Sequence, residues 1–442
     1  MASDSLHHPR PLNQVARNIA IASFGNALEW FDFIVYGFLA TVIAKVFFPA
    51  ADEFSSILLA TASFGVPFLV RPVGAVLIGR YGDRNGRKPA LTLTVAMMLV
   101  GTLIIALTPS YQTIGVAAPV LIVAARIIQG FAAGGEFGSA TAFLAEQDPA
   151  RRGFYGSWQF ASQGVASILA AGVTWLMFAT LPIDTIVAWA WRIPFILGLA
   201  IGPVGLLMRR SMHETDEFAA TQSAPGGANA SRRPRRTGLC ARSAAILACV
   251  GLVMSGTVSS YVLVLYLPTF AIRQLHLPPA TAFASAAAMG LVSFVASPFA
   301  GALSDRFGRA RIMAFGLIAA ALAIMPAFGV LLAHPALATL IACQLAVGLL
   351  LSFYTGPLAA LMAEIFPTHE RTFGISVGYN LSVTLFGGFA PAILTLLIHT
   401  TKSDMAPGWY VLLAILGSLG SLAAVVGRTG RAQREQSIAA NR

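Results

Sequence analysis

The stretch "GRYGDRNGRK" at 79–88 returns, loosened, as "GALSDRFGRA" at 301–310. Each is a short polar segment at the end of a long apolar run. The first carries Gly79, Asp83, Arg84, Gly86 and Arg87, and the second Gly301, Asp305, Arg306, Gly308 and Arg309. Sixty-seven residues after Gly79 comes "AEQDPARRGF" with Glu146, and sixty-three after Gly301 comes "AEIFPTHERTFG" with Glu364. In both, Pro follows the Glu by three positions. Two motifs in the same order at nearly the same spacing mark the chain as a tandem repeat of two parallel halves.

The runs between these motifs set the fold class. The 442-residue chain is 57% hydrophobic and 11% charged, where a soluble domain carries about 25% charged residues. Asp, Glu, Lys and Arg are absent from 54–70, 89–125, 153–183, 243–272, 274–304, 312–363, 372–401 and 405–427. A helix of about 20 apolar residues crosses the hydrocarbon core, and 89–125 and 312–363 are long enough for two. The pattern predicts an all-α membrane protein with helices near 19–47, 54–79, 89–108, 117–145, 154–180, 190–209, 243–271, 280–303, 312–333, 337–365, 372–398 and 408–428. A β-barrel would show short alternating segments instead. The organisation is an N-terminal segment (1–18), a six-helix bundle (19–210), a polar linker (211–241), a second six-helix bundle (242–428) and a tail (429–442). Parallel halves of this kind place a binding site near the bilayer midplane between them.

The net charge of +11 reads as a topology signal, not as a nucleic-acid footprint. Of 29 Lys and Arg, only Lys45, Arg273 and Lys402 fall on one side, while Arg71, Arg126 and Arg192 lie in or at the edge of helices. The remaining 23 fall on the other side with both termini, which the positive-inside rule makes cytoplasmic. Residues 1–17 lead into an apolar run too long for a signal peptide. Cys240, Cys249 and Cys343 show no metal spacing and read as packing residues; no metal site or cofactor is expected.

These motifs resemble the major facilitator superfamily. The Gly-x-x-x-Asp-Arg-x-Gly-Arg loop is matched at 79–87 and more weakly at 301–309, and Arg126 with Gly130 matches an Arg-x-x-x-Gly pattern of helix 4. More narrowly, "GNALEWFDFIVYGF", "FLVRPVGA", "GGEFGSATAFLAE", "GFYGSWQ" and "WAWRIPF" resemble the metabolite:proton symporter family, over about 18–428. "RTFGISVGYNLSVTLFGGFAPAI" and "APGWYV" look closest to its citrate and tricarballylate branch. The resemblance implies twelve helices in two bundles, a bacterial inner-membrane location, a proton as coupling ion, and a chain working as a monomer. It implies that Gly79, Asp83, Arg84, Gly86, Arg87, Glu146, Asp305, Arg306, Arg309 and Glu364 form a cytoplasmic gate. The tail shows no coiled-coil heptads, unlike the osmosensing member of the family.

Inside the apolar runs, a few charges stand out. Glu29 and Asp32 share a helix face at i and i+3, about 15 Å into the first helix. A charge there costs about 2.5–3.5 kcal/mol on insertion scales, so the pair is expected to face a wet cavity and handle protons. The alternative is a structural interhelical hydrogen bond. Glu136, among Gly134, Gly135 and Gly138, carries the same two readings. Arg126 keeps its charge inside a protein and needs an acid or a substrate carboxylate; Arg71 suits a carboxylate too, and Arg192 reads as an anchor. Tyr261, Tyr354, Tyr379 and Asn380 offer polar groups to a substrate, against a packing reading for each. The second half lacks membrane acids, so proton chemistry is expected in the first.

No nucleotide loop, nucleophile elbow or paired histidines appear, which argues against an enzyme. The sequence reads as a secondary transporter that couples protons to uptake of a small organic anion, citrate or a related carboxylate first. Osmolytes such as proline or betaine, and shikimate-type acids, are alternatives. A receptor on the same scaffold would need an output domain larger than 211–241 or 429–442 supplies.

Overall fold

The structure is a computed structural model that describes residues 12–85, 87–210, 239–367 and 370–440. The expected N-terminal segment, linker and tail fall largely outside the described residues and side chains. Among the described residues nine helices are long and apolar enough to span a membrane. One further pair is bent by 67° at Leu39, and two shorter apolar helices complete a set of twelve. In chain order these are α1 (Ile19–Phe38 with Ala40–Phe47), α2 (Glu53–Ile78), α3 (Thr92–Leu107), α4 (Ala117–Ala145), α5 (Arg152–Thr180), α6 (Ala190–Gly205), α7 (Ser243–Arg273), α8 (Pro279–Phe307), α9 (Arg309–Ala333), α10 (Leu337–Ile365), α11 (Arg371–Thr401) and α12 (Ala406–Gly427).

Large apolar side chains such as Leu107, Leu322 and Leu413 stand exposed on the outer surface, as a lipid-facing belt requires, because lipid tails impose no penalty on them. α1 to α6 form one bundle and α7 to α12 the other. The halves meet along α5 and α8, where the backbones of Gly153 and Gly301 lie in direct contact; any side chain at either position would separate the helices.

The helices facing the centre are the irregular ones. α1 breaks at Leu39, and α4 is interrupted by a turn at Gly134–Gly135, so "GGEFG" starts a new helical piece at Glu136. An unbroken helix was expected at both places. α7 carries a π-helical stretch at Ser260–Tyr266 and α11 another at Val383–Gly387. Such turns shift side-chain phase and free backbone groups, which bilayers tolerate only where protein or a cavity covers them.

Candidate functional site

Two buried arginines organise the centre of the first bundle. Arg71 on α2 and Arg126 on α4 are 1% and 0% exposed. They come together because α2 and α4 pack backbone to backbone, Gly130 against Pro67 and Gly134 against Arg71. Arg71 Nη2 bonds Glu29 Oε1 on α1 at 2.7 Å, and its guanidinium lies over the rings of Phe33 (4.9 Å) and Phe68 (4.7 Å).

Arg126 is differently served. It donates to Gln129 Oε1 at 3.0 Å and to the Phe64 carbonyl at 3.3 Å, and faces the rings of Tyr36, Phe33 and Phe64. Among the described residues no carboxylate reaches it within 4.0 Å, and its Nε is buried without a partner. Gln129 Nε2 donates to Thr102, whose hydroxyl donates to Asp32 Oδ2. Asp32 Oδ1 has no partner. Arg126 therefore makes no direct contact with Asp32: two neutral side chains bridge the pair, although their charges still act on each other across the gap. Aromatic faces return about 0.5–2 kcal/mol to a buried cation, less than the several kcal/mol that desolvation costs. Arg126 is thus left without a carboxylate contact among the described residues.

Glu29, Asp32 and Glu136 line one cavity of ≈ 10 Å³ between α1, α3, α4 and α6. The three expected proton-handling acids are thus brought together, 6%, 5% and 6% exposed.

Of the expected polar contributors from the second half, Tyr261 and Tyr379 approach this cluster. Tyr261 packs against Trp30, Phe64 and Phe68. Tyr379 stacks on Phe137 at 3.3 Å between ring centroids, with its hydroxyl beside Arg71. Asn380 instead ties α11 to α4, donating to the Gly134 carbonyl at 3.0 Å and to Ser376 O at 2.9 Å. Tyr354 lies outside the cluster: its hydroxyl donates to the Leu252 carbonyl and accepts from Gly256 N–H, joining α10 to α7 within the second bundle. Arg192 donates to the carbonyls of Ala106 and Thr108, an anchoring arrangement.

Beside Trp30 a second cavity of ≈ 50 Å³ opens between the halves, lined by Gln163, Ser167, Ser260, Ser293, Ser352 and Thr355. No charge enters it. Sequence reading missed this hydroxyl-rich wall, because single Ser and Thr residues in apolar helices carry no pattern. Thr102 and Gln129 were missed for the same reason, though Gln129 stands three residues after Arg126.

Comparison with known proteins identifies the family and the fold. A family model described as sugar (and other) transporter matches residues 18–238, and one described as the major facilitator superfamily matches 279–440. The chain is 39% identical over 393 residues to a citrate-proton symporter of Salmonella typhi, covering 89% of each chain. The chain belongs to the major facilitator superfamily. It is also 35% identical over 415 residues to a proline/betaine transporter of Escherichia coli (strain K12), covering 91% of this chain and 82% of that one. The fold matches the xylose transporter XylE from E. coli with a TM-score of 0.75 at 16% identity, covering 92% of this chain and 97% of that one. Its relatives in the superfamily are transporters, not enzymes.

Of the residues expected to form the gate, Glu146 and those of the second half can be located. Gly79, Asp83, Arg84, Gly86 and Arg87 lie outside the described residues and side chains. Asp305 accepts from the N–H groups of Gly153 (2.8 Å) and Phe154 (3.0 Å) at the start of α5, where the helix dipole favours a carboxylate. Arg309 bonds Glu364 at 2.9 Å and lies 3.4 Å from Asp305. Arg306 is exposed and joins no ion pair among the described residues. Glu146 crosses to the second half and pairs with Arg371, which also donates to Ala363 O. Arg371 was not anticipated, although the repeat could have revealed it: it follows Glu364 much as Arg152 follows Glu146.

Proposed function

We propose that this protein is a proton-coupled symporter that takes up a small organic anion by alternating access, with citrate or a related di- or tricarboxylate as first choice. The reading places it in a bacterial inner membrane with the basic face cytoplasmic, working as a monomer with the proton as its only coupling species. One observation carries the anion assignment: Arg126 is fully buried in the centre of the first bundle with no carboxylate within 4.0 Å among the described residues. A substrate carboxylate supplies the missing charge.

The coupling follows from the second arginine. Glu29 occupies Arg71 at 2.7 Å, so a second substrate carboxylate takes Arg71 only when Glu29 gives it up. A protonated Glu29 does so without leaving a buried charge behind. Asp32, with one oxygen unpartnered, is a second acceptor. Protons on these acids and carboxylates on the arginines then enter and leave together. The energetics agree: each charge moved through 100 mV is worth about 2.3 kcal/mol, so a trianion entering alone works against about 7 kcal/mol. Three protons remove that opposition. The Ser- and Gln-lined cavity beside Trp30 is placed to receive the uncharged part of the substrate.

A second reading is a zwitterionic osmolyte. It is favoured by the 35% identity to a proline/betaine transporter and by the pairing of Arg71 with Glu29, which leaves Arg126 alone without a carboxylate contact, enough for one carboxylate. Labelled citrate, tricarballylate, oxoglutarate, shikimate and proline presented to proteoliposomes under an inward proton gradient separate the two. Accumulation of citrate or tricarballylate, collapsed by a protonophore, is the expected result. Accumulation of proline alone would replace the anion reading, and full activity on a sodium gradient at equal pH would remove the proton.

A further inference from the structure

A cavity of ≈ 320 Å³ opens on the face opposite the Asp-Arg loops, at the ends of α7 and α11. Its lining includes Arg273, Gln274, His399, Lys402 and Asp404, with Phe54 from the start of α2 closing it. The sequence places three basic side chains on this face apart from the α6 anchor, and two of them, Arg273 and Lys402, line this one cavity. Lys402 has φ 54° at the C-cap of α11, backbone that favours glycine. Among the described residues the other non-glycine with positive φ is His276, two residues beyond Gln274 of the same wall. Lys402 has no acid within 4.0 Å among the described residues, so no ion pair accounts for a lysine at this strained position.

The first half closes the cavity with matching chemistry. Phe54 stacks on His399 at 3.9 Å between ring centroids, and Glu53 reaches Arg273 at 3.7 Å. Asp52, held by the N–H and hydroxyl of Ser55, is near enough to feel His399. The acids of the α1–α2 loop thus sit over Arg273 and His399 of the second half. When the halves part at this face, Glu53 and Asp52 leave with the first half. Arg273 and Lys402 stay behind against the single carboxylate of Asp404 in the cavity lining.

We propose that this vestibule is an outer capture site for the substrate's carboxylates, in which an incoming carboxylate replaces Glu53 on Arg273 and is also met by Lys402. It rests on the anion reading above and extends it to a second, shallower site exposed as the outer face opens. The deep cluster repeats the same exchange, with Glu29 and Arg71 in place of Glu53 and Arg273.

The test uses the full chain in proteoliposomes at low ionic strength, where exposed charges act over the longest range. A Phe54→Trp reporter reads the contact with His399 when citrate is added outside. The expected result is a saturable fluorescence change whose midpoint rises between about twofold and thirtyfold in R273Q/K402Q, from two partly exposed charge contacts. The midpoint falls in D404N, because a repelling charge is gone. The KM for uptake moves in the same directions in both variants, with the maximal rate changed less than twofold. No saturable response to citrate, a response indifferent to R273Q/K402Q, or an equal response to inorganic phosphate at matched ionic strength overturns the capture site. The anion reading fails by a separate measurement, if the protein without the reporter accumulates no carboxylate under a proton gradient.

Discussion

Replacing Glu29 by Gln removes one charge from the 2.7 Å contact with Arg71 and leaves the side chain's shape. At that distance and an effective dielectric of about 20, the attraction is about 6 kcal/mol before desolvation. Breaking a buried pair from one side typically costs about 3–5 kcal/mol. The amide oxygen still accepts from Arg71, and Phe33 and Phe68 still cover the guanidinium, so the loss of thermal stability should fall at or below that range. The functional consequence is larger and has a definite sign. On the proposed exchange, Arg71 of the wild type becomes available when Glu29 takes a proton, so substrate affinity should rise as pH falls. Each proton linked to binding changes the affinity tenfold per pH unit, about 1.4 kcal/mol. With Gln at 29 Arg71 is always available. Affinity at alkaline pH should therefore rise, and the slope of log Kd against pH should drop by one proton, about a hundredfold over two pH units. Equilibrium binding of labelled substrate to purified protein across pH gives the slope directly. A variant whose slope equals that of the wild type would refute the exchange, whatever its stability.

Asp32→Asn should bind substrate and support counterflow yet lose proton-driven accumulation, because the amide cannot take up and release a proton; unchanged accumulation would make Asp32 a structural partner of Thr102 only. Asp305→Asn keeps one acceptor but loses the charge on Gly153 and Phe154 N–H, worth about 1.5–3 kcal/mol. Cysteine labelling from the basic face should then show that face open more often, with turnover slowed more than KM is raised; unaltered labelling contradicts a latch. Tyr354→Phe removes the hydroxyl from Leu252 O and Gly256 N and should cost about 1–3 kcal/mol of stability with KM within twofold. A large KM change would return Tyr354 to the substrate site.

The fold class and the two-bundle organisation were legible because lipid imposes them residue by residue. A span that excludes water must be long, apolar and helical, and that requirement is written locally in the uncharged runs between 54 and 427. The repeat of "GRYGDRNGRK" in "GALSDRFGRA" likewise carried the relation between the halves. Buried charges were legible for the same reason: Glu29, Asp32, Arg71, Arg126 and Glu136 each violate a composition that is otherwise strict. Pairing was another matter. Sequence left Glu29 free to join either arginine, and only the close packing of α2 on α4 gives it to Arg71 and leaves Arg126 with Gln129 and Phe64 O. The breaks at Leu39 and Gly134–Gly135, the π-helical stretches of α7 and α11, the Ser-lined wall beside Trp30 and the cross-half pair of Glu146 with Arg371 were likewise decided in three dimensions. Each depends on which surfaces meet across helices far apart in the chain. A hydroxyl or a glycine has no preferred role until the packing around it determines whether it faces lipid, a neighbouring backbone or a cavity.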